Sequence, residues 1–347
     1  MPESRSRGAR VWLSRLAPYV IAALALAWVF QTTDLVRLRA ALAHAPMGLF
    51  VLVSAVILLA NCAADTFAMH RVFGWFGCHV PYRDLLVIRA STYLLAAINY
   101  HVGQAAIIGY LYRARRVPLL RATGWILFII GINVGTLFLL ASGGAARATH
   151  ELRFLRFAPY VTGAGALLWA VILVARPRVL AQRRILAPLF EMGVLGHVRG
   201  VLVRLPHVAV LILWHFVSMR MFGVNVPLLD AAVLLPIYFA TASLPVSVMN
   251  GVGGAQVVAL ALFSGYAADP HAPDPMAAGR AAVMAYSIST ALVSLFLQLG
   301  LGVLCLGPAT RLGLPREAPE EIEEAAARAA SADEPGVERV DDSAAEV

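Results

Sequence analysis

The sequence predicts an all-α polytopic membrane protein, with about six transmembrane helices plus two re-entrant helical hairpins in an inverted-topology repeat. Three observations lead there. Hydrophobic residues make up 60% of the 347-residue chain and charged ones only 14%, far outside soluble norms. Apolar runs of spanning length recur along it. Two of the longest, 84–112 and 230–266, are broken in the middle by residues unsuited to a lipid-exposed helix: Asn99 to Gln104 (NYHVGQ) in the first and Leu244 to Gln256 (LPVSVMNGVGGAQ) in the second. Pro, Asn and Gly weaken or remove backbone hydrogen bonds that hydrocarbon cannot replace, so such breaks belong inside protein or beside a water-filled cavity.

The order of elements follows. Residues 1–16 form a basic N-terminus on the cytoplasmic side, with Arg5, Arg7, Arg10 and Arg15 ahead of an uncleaved first span over 17–30. Further spans are expected at 47–67, 122–141, 157–175, 206–222 and 281–306. Neither arm of the 84–112 segment comfortably crosses a core of about 30 Å at about 1.5 Å per residue, whereas two short arms meeting at a turn make a hairpin. If both broken segments return to their own side, 18 arginines fall in cytoplasmic stretches and 7 in external loops. A single crossing by each would put the two richest loops outside, against the positive-inside rule. The hairpin arrangement divides the chain into a first membrane repeat over 17–175, a basic interfacial linker over 176–205, a second membrane part over 206–306, and an acidic, disordered cytoplasmic tail over 307–347. The span 157–175 fits either repeat. Each hairpin opens with an aspartate, Asp84 and Asp230, and paired breaks in two inverted halves point to a binding site near the midplane.

All 28 basic residues are arginine. From Arg316 onward lie 11 of the 20 acids and 3 of the 28 arginines, so the membrane body carries +16 (25 minus 9) against +8 for the whole chain. That charge suits anionic headgroups and implies no nucleic-acid partner. Cys62, Cys78 and Cys305 have neither disulfide-framework nor metal-ligand spacing. No phosphate-binding loop, nucleophile elbow or zinc motif occurs, so neither a cofactor, a metal nor an enzymatic activity is expected. Transport would then be downhill, ion-coupled or driven by a partner.

The candidate substrate-path residues are Arg89, Asn99, His101, Gly103, Gln104, Pro245, Asn250, Gly251, Gly253, Gly254 and Gln256. Half-helix ends turned toward the midplane expose free N–H groups and partial positive charge, suited to an anionic headgroup. Glycines allow close approach of a ligand, or equally of a neighbouring helix. His101 reads as a proton-relay member or as a histidine satisfied at a helix end; Asp84 and Asp230 read as helix-start residues or as coupling acids.

At the breaks, Pro245 followed by Asn250-Gly251-Val252-Gly253-Gly254-Ala255-Gln256, together with Gly103-Gln104, resembles the transmembrane region of the lysylphosphatidylglycerol synthase family of flippase-like membrane proteins. The likeness in span layout covers about 11–306. Asn250 stands where that family usually has glycine; Gln256 and Gln104 stand where it usually has acids. The resemblance implies a membrane module that moves a lipid or lipid-linked molecule between leaflets; with the arginine placement, the expected location is a bacterial inner membrane, both termini cytoplasmic. The alternative is a non-transporting membrane partner of a lipid-modifying enzyme or glycosyltransferase.

Overall fold

The computed structural model describes residues 31, 35–97, 100–144, 153–242, 254–268, 271 and 273–313, and these contain helices and no strand. The first expected span (17–30), the break residues Asn99, Pro245, Asn250, Gly251 and Gly253, and the tail beyond 313 lie outside them. Twelve α-helices carry the described chain: α1 (Leu35–His44), α2 (Met47–Trp75), α3 (Tyr82–Ser91), α4 (Tyr93–Ala96), α5 (Tyr100–Arg115), α6 (Leu119–Ser142), α7 (Ala158–Ala175), α8 (Arg178–Ala181), α9 (Ala187–Met221), α10 (Leu228–Ala242), α11 (Gly254–Phe263) and α12 (Pro275–Gly313). By length and composition α2, α6, α7, α9 and α12 are each able to cross a membrane, so the chain is a multi-pass helical membrane protein.

Prolines set the helix starts. Pro46, Pro81, Pro118 and Pro177 immediately precede α2, α3, α6 and α8, where a missing N–H costs nothing because the first helical turn has no acceptor for it. α2 and α9 end alike. Gly77 (φ +79°) and Gly223 (φ +76°) adopt left-handed backbone. The following N–H groups, of Cys78 and Val224, reach back to the carbonyls of Phe73 and Met219 at 2.9 Å each, the six-to-one bond of a Schellman cap. The sequence repeats here as well: Phe76-Gly-x-x-Val-Pro-x-x-Asp84 recurs as Phe222-Gly-x-x-Val-Pro-x-x-Asp230.

Cross-contacts fix the helix directions. Phe50 packs edge-on against Phe222 at 5.2 Å and Trp214 donates to Ser54 at 3.2 Å, so α2 and α9 run antiparallel and the two nine-residue motifs lie at opposite ends of the pair. Arg121 meets Glu191 and Phe128 meets His197, so α6 runs parallel to α9. The chain therefore leaves α2 and enters α6 at the same end of the bundle, where Phe76 stacks on Trp125 at 5.1 Å. The two ends of the first broken segment also meet there. Asp84 at the start of α3 lies 3.7 Å from Arg115 at the end of α5. The second broken segment closes in the same manner, with Tyr266 donating to Asp230 at 3.0 Å and Asn225 N–H donating to the Tyr266 carbonyl at 3.1 Å. Asp84 and Asp230 thus join the ends of their segments. Asp84 stands in the first turn of α3, whose preceding residue is Pro81.

Packing is reciprocal between halves: α3 lies on α12, and α10 on α6. The two larger of three apolar clusters among the described residues divide likewise. One cluster gathers Val208, Met219, Leu235, Phe263 and Tyr286, the other Met69, Phe73, Leu85, Ile107 and Ile129. The main departure from expectation is α9. It starts at Ala187, so most of the stretch read as an interfacial linker, 176–205, is the first half of a 35-residue helix. Hydropathy misplaces its start because Arg199 and Arg204 dilute the apolar signal. Gly193, with left-handed φ of +57°, kinks the helix near its beginning.

Candidate functional site

Asp65 lies on α2, ten residues before the helix ends at Trp75, or about 15 Å by helical rise. It is 2% exposed, inside an otherwise apolar span. A carboxylate there is costly unless charged partners and hydrogen bonds replace water. Both its oxygens are engaged by arginines from other helices. Arg89 of α3 donates its Nε to Oδ2 at 2.5 Å, and Arg204 of α9 donates from a terminal guanidinium nitrogen to Oδ1. Arg204 sits 17 residues from either end of α9, so it belongs to the middle of the bundle and not to a loop. Its Nε donates to Asn133 Oδ1 of α6 at 2.9 Å.

Small residues make this convergence possible. A Cβ on Gly200, one turn before Arg204, would lie 2.8 Å from Ile132 Cγ2, so only glycine lets α9 approach α6 closely enough for Arg204 to meet Asn133. A Cβ on Gly103 would lie 2.9 Å from Ala96 Cβ and 3.2 Å from the Thr92 carbonyl, which brings α5 against α4 and turns Gln104 inward. Arg89 also donates to Thr92 Oγ1 at 3.3 Å and lies 5.3 Å from the Tyr93 ring centroid. Tyr100 hydrogen-bonds Gln104 and stands within electrostatic reach of Arg89, Arg204 and Asp65.

His207 Nδ1 lies 4.0 Å from Asp65 Oδ1. Four buried polar atoms around this group, Asn61 Oδ1, Tyr93 Oη, Gln104 Oε1 and His207 Nδ1, have no hydrogen-bond partner among the described residues. Formally the cluster holds two guanidiniums and one carboxylate, hence +1 with His207 counted neutral. Guanidinium forks match the oxygens of phosphate and carboxylate, so the arrangement has the chemistry of an oxyanion site.

Beside it, α6, α7 and α9 surround an apolar cleft of about 720 Å³ lined by Phe138, Leu139, Val161, Trp169, Val198 and Val201. The next residue on α6 after the cleft-lining Ile132 is Asn133, and Arg204 follows Val201 by three residues on α9. α7, which forms the cleft's outer wall, buries only Leu173. The described part of the chain thus sets a buried charged cluster next to an apolar cleft.

Of the residues singled out from sequence, Arg89 and Gln104 are in the cluster, and Gly103 supports it. His101 is exposed, beside Tyr100. Gly254 and Gln256 lie on α11 in the other half, Gly254 exposed and Gln256 buried. Asp65, Asn133, Arg204 and His207 were missed. Asp65 carried a readable signal, an ionisable residue inside the expected span 47–67. Arg204 carried none, standing inside the expected linker, one residue before its end at 205. Among the described residues no group of acids, histidines and cysteines is placed to hold a metal ion.

Compared with known proteins, the chain matches no family model, no curated protein and no solved structure. The motif resemblance stands on the residues quoted for it.

Proposed function

We propose that this protein moves an anionic lipid or lipid-linked amphiphile between leaflets, with the headgroup passing the Asp65–Arg89–Arg204 cluster and the acyl chains using the neighbouring apolar cleft. The observation that carries the reading is two buried guanidiniums sharing one carboxylate at the middle of α9. A net positive charge inside a membrane is expensive unless a ligand uses it. The finer architecture belongs to the same proposal: six spans, with 84–112 and 230–266 as re-entrant hairpins of an inverted repeat. Its supports are the repeated Phe-Gly-x-x-Val-Pro-x-x-Asp motif at opposite ends of the α2–α9 pair, the return of each segment to its own end, and the reciprocal packing of α3 on α12 and α10 on α6. Inverted repeats place their sites where the halves meet.

The test is movement of labelled lipids between leaflets of proteoliposomes. Phosphatidylglycerol should move faster with wild-type protein than without, and Arg204→Gln should remove at least about 1.4 kcal/mol of the barrier lowering, a tenfold loss of rate. Folded protein that moves no anionic lipid would overturn the proposal and favour the non-transporting partner.

A further inference from the structure

The charge of the cluster selects among anions. Arg89 and Arg204 are 5% and 3% exposed, and Asp65 is held by one guanidinium on each of its oxygens. We infer that the site accepts a monoanionic phosphodiester, which takes over one of the two guanidiniums while Asp65 keeps the other. This deepens the proposed function, on which it rests, by naming the headgroup class.

The argument is one of charge balance in a medium that penalises any remainder. The cluster stands at +1. A phosphodiester without a cationic headgroup brings it to zero and yields two neutral pairs from one carboxylate held between two cations. A phosphomonoester dianion would leave −1, and a zwitterionic headgroup would leave +1 unanswered. Asp65 is then the residue that sets the ligand's valence.

The experiment is thermal unfolding of the full-length protein in detergent micelles at about pH 8, where a phosphomonoester is dianionic. Micelles are doped with phosphatidylglycerol, phosphatidate or phosphatidylcholine, and parallel samples receive inorganic phosphate or dimethyl phosphate in solution. Wild type should be stabilised most by phosphatidylglycerol, less by phosphatidate, and not by phosphatidylcholine. Asp65→Asn raises the cluster to +2, and the preference should shift to phosphatidate by at least about tenfold in apparent affinity. Arg204→Gln lowers it to zero while leaving the Asp65–Arg89 pair, and should abolish discrimination between phosphatidylglycerol and phosphatidylcholine. This second variant decides the matter if Asp65→Asn does not fold.

Stabilisation by dimethyl phosphate equal to that by the lipid would assign the site to a soluble phosphodiester and overturn the lipid headgroup. An unchanged lipid order in Asp65→Asn, or retained discrimination in Arg204→Gln, would overturn the valence rule. The order is an equilibrium quantity, so it fails or holds independently of whether the protein moves lipid between leaflets.

Discussion

Two polar clusters are buried along α9, and they are built on opposite principles. The one at Arg204 is ionic, with two cations and one anion drawn from α2, α3 and α9, and it leaves polar atoms without partners. The one at Trp214 and His215, about three turns further on, contains no formal charge. His215 Nδ1 is hydrogen-bonded to the Tyr286 hydroxyl, Trp214 donates to Ser54, and the rings of Tyr238, Phe239 and Tyr286 surround the imidazole at 5.0 to 5.9 Å. A neutral, aromatic-walled network holds helices in register at modest cost. A charged group with a surplus cation does not improve on apolar packing. Under the proposed function, the difference sets a structural device beside a headgroup site within a single helix.

Substitutions sharpen this contrast. Asp65→Asn strands two buried guanidiniums and should lower unfolding stability by about 3–5 kcal/mol, whereas His215→Phe, which leaves one neutral hydroxyl without its partner, should lower it by about 1–3 kcal/mol. Thermal and chemical unfolding in lipid-free micelles measures both; equal losses would erase the distinction. Next in size, Gly103→Ala forces a methyl to within 2.9 Å of Ala96 Cβ and should cost about 1–3 kcal/mol by overpacking. Gly254→Ala in the second half meets nothing within 4 Å among the described residues, and should be neutral or stabilise by about 0.5–1 kcal/mol, as alanine does in an unobstructed helix. A large loss at Gly254 would show that the two halves use their glycines alike.

The smallest effect concerns the loop after α2. Burial pushes the Cys78 thiol above its usual range, and the Arg115 guanidinium draws it only partly back. A raised value means less thiolate at a given pH. In a variant with Cys62 and Cys305 replaced by Ala, Cys78 should react with maleimide more slowly at pH 7 than a free cysteine does, with the rate still rising above pH 9. Labelling only from the cytoplasmic face of sealed vesicles would match the expected orientation; labelling only from the other face would reverse it.

The periodic, strongly apolar parts of the fold were legible from sequence: α2, α6, α7 and α12 lie where hydropathy sets them, α7 one residue shorter than its expected span and the other three longer. α9 was not, because buried arginines resemble a loop until their partners are known. The repeated motif at 76–84 and 222–230 was readable as nine aligned residues. It passes unnoticed in a search for breaks, because it flanks them. For the site, sequence pointed to Arg89 and Gln104 through their nearness to a break. Asp65 and Arg204, 139 positions apart, become one site only through the antiparallel packing of α2 on α9.

The central claim is that the shared-carboxylate cluster is a headgroup path. Leaflet-to-leaflet movement of labelled phosphatidylglycerol in proteoliposomes, wild type against Arg204→Gln matched for folding, tests it most directly. The account predicts protein-dependent movement that falls at least about tenfold in the variant. Movement that proceeds equally in both would show that the headgroup travels elsewhere.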